Sequence, residues 1–188
     1  MSQVLIPLPS KCLEDIDTSG DTYKDENENK DFYTFIFDPV INKGIVKLEV
    51  LDVQDIYSVG IADESVRYCR NEMPEARGWD KHVCYRWIGD IRHIGDYIEG
   101  NSCFRNDGYR IQMELNMDSN PRTLTFFVND EEQKNFIINI PKAVRIWCCV
   151  YEKGASFKIP KFEFLSKPTA KHGFFSSKKW EYGKEWKK

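Results

Sequence analysis

Tyr109-Arg110-Ile111-Gln112-Met113-Glu114-Leu115-Asn116-Met117 is followed by Asp118-Ser119-Asn120-Pro121, and then by Arg122-Thr123-Leu124-Thr125-Phe126-Phe127-Val128. In the first stretch Ile111, Met113, Leu115 and Met117 alternate with Arg110, Gln112, Glu114 and Asn116. An extended backbone sorts such a sequence into one apolar and one polar row. The third stretch does the same, with Leu124, Phe126 and Val128 on one side and Thr123, Thr125 and Phe127 on the other. The residues between them favour a turn, and Pro121 keeps Asn120 out of the α region. Two strands joined this way are expected to pair antiparallel.

The same period of two spreads outward from this hairpin. Val46, Leu48 and Val50 oppose Lys47 and Glu49 between residues 44 and 51, and Val144, Ile146, Cys148 and Val150 alternate between 144 and 151. Phe157, Ile159, Phe162 and Phe164 surround Pro160 in the stretch 156–165. Further strands are predicted at 32–37, 58–62, 85–88 and 135–139, and no helical window interrupts the chain from Asp31 to about Leu165. Each strand has an apolar face that only another sheet is available to cover. An all-β fold of antiparallel sheets stacked as a sandwich follows.

The 188 residues suffice for one domain with a sizeable core. No stretch approaches the roughly 18 apolar residues of a helical membrane span, and Met1-Ser2-Gln3-Val4 has neither a basic nor a long apolar signal region. A monomeric cytoplasmic protein without a membrane partner is expected. The six cysteines, Cys12, Cys69, Cys84, Cys103, Cys148 and Cys149, are too sparse for a disulfide scaffold and are expected to be reduced.

Charge divides the chain in three. Residues 1–31 hold three lysines against eight acids, with little apolar matter beyond the Pro-containing Val4–Pro9 stretch, so a mobile acidic lead-in is expected. Residues 32–165 form the sandwich. Residues 166–188 hold seven lysines against two glutamates, interleaved with Phe174, Phe175, Trp180, Tyr182 and Trp186. That mixture suits single-stranded nucleic acid or an anionic membrane surface. Five large aromatics are nevertheless too apolar for a solvated tail, and the chain as a whole is mildly acidic, with 27 basic against 30 acidic side chains. Docking on its own domain or on a partner protein is therefore expected, rather than nucleic acid.

The order Gly44-Ile45-Val46-Lys47-Leu48-Glu49-Val50, Ser58-Val59-Gly60-Ile61-Ala62, Met113–Asp118 leading into Arg122–Asn129, Ile140-Pro141, and Val144-Arg145-Ile146-Trp147 through Val150–Phe157 resembles a SPRY (B30.2-type) domain. The resemblance spans about residues 44 to 165 and is most specific across the hairpin from Met113 to Asn129. Leu48 stands where many members have Trp, Asp130 stands where the hairpin Gly is usual, and no clear copy of the N-terminal PRY segment is visible. The resemblance implies a concanavalin-like jelly-roll sandwich that recognises protein through loops at one end, without chemistry of its own.

The residues themselves offer little catalytic material. His82, His93 and His172 lie in no zinc-protease, nucleophile-elbow or Cys-x-x-Cys pattern. Cys69, His82, Cys84 and Cys103 are suitable zinc ligands at spacings that match no ordinary structural site, so buried thiols and a loop histidine are expected instead, with no metal and no cofactor. The carboxylate pairs Asp63–Glu64 and Glu131–Glu132 fall in turn-rich, solvated segments. No enzyme activity is expected.

Two long connections are richer. Residues 63–81 contain Arg67, Tyr68, Arg77 and Trp79, and residues 89–108 contain Arg92, Tyr97, Phe104 and Arg105. Connections of that length are commonly functional, and these residue types are enriched at recognition hot spots. These eight are the candidate partner-binding residues, with Arg77 or Arg92 beside an aromatic floor suited to an acidic or amide-rich peptide. A lectin-like sandwich that binds glycans is the alternative. Trp147 and Arg145 share the strand face opposite Val144 and Ile146, which predicts a second buried layer there, and Cys148 and Cys149 must likewise face opposite ways.

Overall fold

Met113 sits opposite Phe126 and Leu115 opposite Leu124, so the predicted antiparallel hairpin forms with its apolar rows aligned. The computed structural model describes residues 5–9, 16–26, 30–105 and 107–186, apart from the side chain of Val53. Its strands are β1 (Ile6–Pro7), β2 (Ile16–Ser19), β3 (Thr22–Asp25), β4 (Tyr33–Asp38), β5 (Ile45–Gln54), β6 (Ile56–Asp63), β7 (His82–Arg86), β8 (Ile91–His93) and β9 (Asp96–Ile98). They continue with β10 (Arg110–Asn116), β11 (Thr123–Val128), β12 (Glu131–Glu132), β13 (Asn135–Ile138), β14 (Val144–Val150), β15 (Ser156–Leu165) and β16 (Lys178–Glu181). Two short 3₁₀ turns, Pro74–Arg77 and Trp79–Lys81, precede β7.

One sheet orders β1-β4-β14-β6-β7-β8-β9, the other β16-β13-β11-β10-β5-β15-β3-β2 with β12 beside β11. The pairings are antiparallel except that of β13 with β16. Alternation decides the core. Val46, Leu48, Val50, Ile111, Met113, Leu115, Leu124 and Phe126 meet Phe35, Phe37, Val59, Ile61, Val83, Tyr85, Ile146 and Cys148 between the sheets. Each large side chain buried there adds roughly 1.5–3 kcal/mol of apolar transfer free energy.

The opposite face of the smaller sheet carries a second apolar layer. Trp147, Cys149, Ile36, Ala62 and Cys84 pack beneath Val66 and Tyr68 of the connection that follows β6. Gly60 makes room for it, since a Cβ there would lie 1.9 Å from the Val83 carbonyl oxygen and 2.6 Å from the Trp147 ring. Cys148 belongs to the first layer and Cys149 to the second, as strand alternation requires.

Three regions carry structure that the sequence leaves open. The described part of the acidic lead-in contains two strands. β2 and β3 pair with each other and β3 with β15, because Tyr23 stacks on Phe157 at 5.0 Å and is buried. Residues 1–4, 10–15 and 27–29 of that segment lie outside the described residues. The connection 89–108 contains β8 and β9, whose three-residue length leaves too little periodicity to read. The C-terminal segment docks on its own domain and extends the sandwich. It crosses the outer face of the larger sheet, adds β16 as its edge, and ends with Trp186 buried against His93 of the smaller sheet. At the β11–β12 turn, Asn129 and Asp130 both have positive φ, the conformation for which glycine is usual, and Asp130 is held there by the Arg110 and Gln112 side chains.

Candidate functional site

Strand direction assigns each loop to an end of the sandwich. β5 and β11 finish, and β6, β10, β13 and β15 begin, at one end. There the β5–β6 turn, the residues after β7, the connection from 99 to 109 and the β14–β15 turn surround a cavity of about 350 Å³. Asp52, Asp55, Ile56, Tyr57, Trp87, Phe104, Arg105, Tyr151 and Glu152 line it.

Its aromatic walls are mutually braced. Phe32 stacks on Tyr151 with centroids 4.3 Å apart and meets Tyr57 edge-on at 5.4 Å. The Arg105 guanidinium lies 4.5 Å above the Trp87 ring, a cation–π contact. The Trp87 backbone bonds Tyr57 through its N–H and Phe104 through its carbonyl, so three loops share one set of main-chain bonds. Arg86 forms a two-pronged pair with Asp90, which fixes the turn after β7.

The cavity also carries three carboxyl groups against that single guanidinium. Asp52 is almost fully buried and accepts the Ile56 N–H at 3.2 Å. Burial pushes its carboxyl up to about 7, with smaller contributions from the nearby Asp107 and Asp55 charges, while the Ile56 bond opposes the rise. Near neutral pH it therefore offers either an acid O–H or a carboxylate. Glu152 stands on the rim beside Lys30 at 2.7 Å.

The eight sequence candidates do not assemble into one site. Phe104 and Arg105 line the cavity, the former fully buried as its floor, in contact with Tyr85 at 5.2 Å. Arg67, Tyr68, Arg77 and Trp79 lie on the connection between β6 and β7, at the opposite end. Tyr68 is only 5% exposed in the second apolar layer and donates its hydroxyl to the Pro74 carbonyl, so it plugs rather than presents. Arg67 bonds the Glu64 and Val66 carbonyls, and Arg77 is paired with Glu72 at 2.7 Å. Trp79 is 38% exposed beside His82. Arg92 sits within β8 near Asp90 at 3.6 Å, and Tyr97 is 41% exposed on the edge strand β9.

Cys69 and Cys103 are exposed while His82 and Cys84 are buried, and no group of three or more potential metal ligands gathers among the described residues. Arg145 is buried, reaching Asp38 and the Glu64 carbonyl. Tyr57, Trp87 and Tyr151 escape a sequence reading because each stands at the end of a strand, in segments 30 or more residues apart. Their signal is positional: once strand order is known, all three fall at the same end.

Solved structures resemble this chain in fold, and two of them span most of it. The SPRY domain of human HERC1 superposes with a TM-score of 0.60 at 17% identity, covering 79% of this chain and 95% of that one. The fold is that of a SPRY domain. The TRIM65 PSpry domain has a TM-score of 0.61 at 11% identity, covering 84% of this chain and 92% of that one. No protein-family model and no curated protein matches the sequence. Among the described residues no helix is long and apolar enough to cross a membrane.

Proposed function

We propose that this SPRY sandwich is a non-catalytic protein-recognition module whose ligand is a short peptide held in the cavity at the β5–β6 end. One observation carries the proposal: a braced three-ring pocket, large enough for one or two side chains, where Asp52 and Asp55 stand against the single Arg105 guanidinium and Glu152 on the rim is paired with Lys30. Rings already fixed by stacking lose little freedom on binding, so a rigid rim favours a short ligand. Carboxyl groups beside aromatic faces suit a lysine, arginine or amide side chain better than an acidic one. This keeps the amide-rich half of the sequence expectation and replaces the acidic half, because Arg77 is already paired with Glu72 and neither Arg77 nor Arg92 lines the cavity. The SPRY-type fold supports the coarser part of this reading, a protein-interaction module.

A peptide array probed with the intact protein tests it. Binding is expected to concentrate on Lys-, Arg- or Asn-containing sequences and to fall by roughly tenfold or more in Tyr151→Ala, since central aromatic anchors dominate such sites. For cationic peptides affinity should rise with pH across about 7, because the Asp52 carboxylate then forms without cost to the ligand. Selective capture of acidic peptides, or binding indifferent to Tyr151, would refute the assignment.

A further inference from the structure

Phe174 and Phe175 are 91% and 96% exposed, the two most exposed large apolar side chains among the described residues. They meet each other edge-on at 4.9 Å at the tip of a turn closed by the Ser176 and Ser177 N–H groups on the Gly173 carbonyl. The turn itself is anchored. Glu132 accepts the Lys171 and His172 N–H groups, and the His172 ring stacks on Phe136 at 3.8 Å. A fixed projection of two adjacent phenyl rings into water is the surface of something that covers them.

Three further observations narrow the cover. Lys171, Lys178 and Lys179 flank the tip in the chain and Lys134 is bonded to Lys178 through its carbonyl; all four are exposed and form no ion pair among the described residues. Because β16 runs parallel to β13 and starts at Lys178, the tip projects from the same end of the sandwich as the aromatic cavity, four strand positions along the larger sheet. The cavity has the complementary character, ring-walled and bordered by Asp52, Asp55 and Glu152, with Asp107 close to Asp52.

We infer that a second copy of this chain covers the tip, the Phe174–Phe175 turn of each copy seating in the aromatic cavity of the other. A projection and a matching recess on one end of the same molecule satisfy a two-fold axis, since each copy supplies both halves of the contact. The lysines around the tip then face the carboxyl groups around the cavity. This rests on the cavity being the peptide site and names its occupant: a basic, aromatic turn. An anionic membrane fits the tip alone, but would bring the same acidic rim against like charge.

Sedimentation velocity on the full chain over a range of concentrations and salt decides between them. A monomer–dimer equilibrium is expected that weakens with salt. Phe174→Ser with Phe175→Ser, or Tyr151→Ala alone, should weaken it by about tenfold or more. An equimolar mixture of those two variants should recover heterodimer, because one intact tip still finds one intact cavity. A wild-type chain that stays monomeric throughout overturns the inference, as does self-association indifferent to the tip. So does Phe174- and Phe175-dependent flotation of a monomer with vesicles of equal parts phosphatidylcholine and phosphatidylserine. The cavity assignment is judged separately: if the tip variant still binds array peptides while wild type remains monomeric, the dimer alone fails. If neither wild type nor the tip variant binds any peptide, the cavity assignment fails.

Discussion

The two outer faces of the sandwich are covered in opposite ways. Over the smaller sheet, the connection after β6 lays Val66 and Tyr68 onto Trp147, Cys149 and Ile36, an apolar layer in which burial pushes the Cys149 thiol up to about 12. Over the larger sheet, the C-terminal segment is held by polar bonds. The Glu114 carboxylate accepts the Thr169 and Ala170 N–H groups and the Thr169 hydroxyl, and His172 bonds Thr125 at 2.7 Å. Lys47 donates to Thr169 at 2.8 Å while lying 3.8 Å above the Phe127 ring. Apolar cover is non-directional and is lost only by removing volume. Polar cover depends on individual acceptors and on their protonation.

Substitutions should separate the two covers. Trp147→Ala empties the centre of the apolar layer and is expected to cost about 3–5 kcal/mol in chemical denaturation. A loss below about 1 kcal/mol would mean that the layer collapses around the gap. Glu114→Gln leaves three donors to compete for one remaining acceptor oxygen, at a cost of about 1–3 kcal/mol. Its distinguishing mark is local, with faster hydrogen exchange at Thr169, Ala170 and the β16 amides and unchanged protection at Cys148 and Cys149.

Acid should act on the polar cover in the same place. His93 Nδ1 lies 2.8 Å from the His82 carbonyl, so it donates there, and Nε2 accepts the Gly183 N–H at 2.7 Å. Burial holds His93 and His172 below the ordinary imidazole value of 6.5. The unfolded chain therefore takes up protons first, and stability present above 6.5 is lost as pH falls beneath it. Exchange at Gly183 and Trp186 should accelerate on acidification before the β14 amides respond. Uniform acceleration would show that the C-terminal segment opens only with the whole domain. The smallest effect is expected for Phe174→Ser with Phe175→Ser, within about 0.5 kcal/mol, because neither ring is buried in the monomer.

Much of the frame was legible because strand alternation is a local signal. Met113, Leu115, Leu124 and Phe126 announce a buried face by spacing alone, and Trp147 opposite Ile146 announces a second layer. The extra strands were not legible for an equally local reason. Tyr23 looks isolated in an acidic stretch until Phe157, Phe35 and Phe37 enclose it, and Lys178–Glu181 pairs as β16 through contacts with β13 rather than through any alternation of its own. The candidate site divided likewise. Phe104 and Arg105 fell at the cavity, whereas Arg67, Tyr68, Arg77 and Trp79 went to the other end, since residue type marks a capacity for contact and not a location.

Sequence alone determined that this chain makes two-sided sheets with an apolar interior and aromatic, charged connections, because side-chain direction along an extended backbone depends only on neighbouring residues. Tertiary structure alone decided that Tyr57, Trp87 and Tyr151 meet around Asp52, and that the C-terminal segment turns Phe174 and Phe175 outward at that same end. Both depend on which strands lie side by side, a property of the whole packed chain that no short window contains.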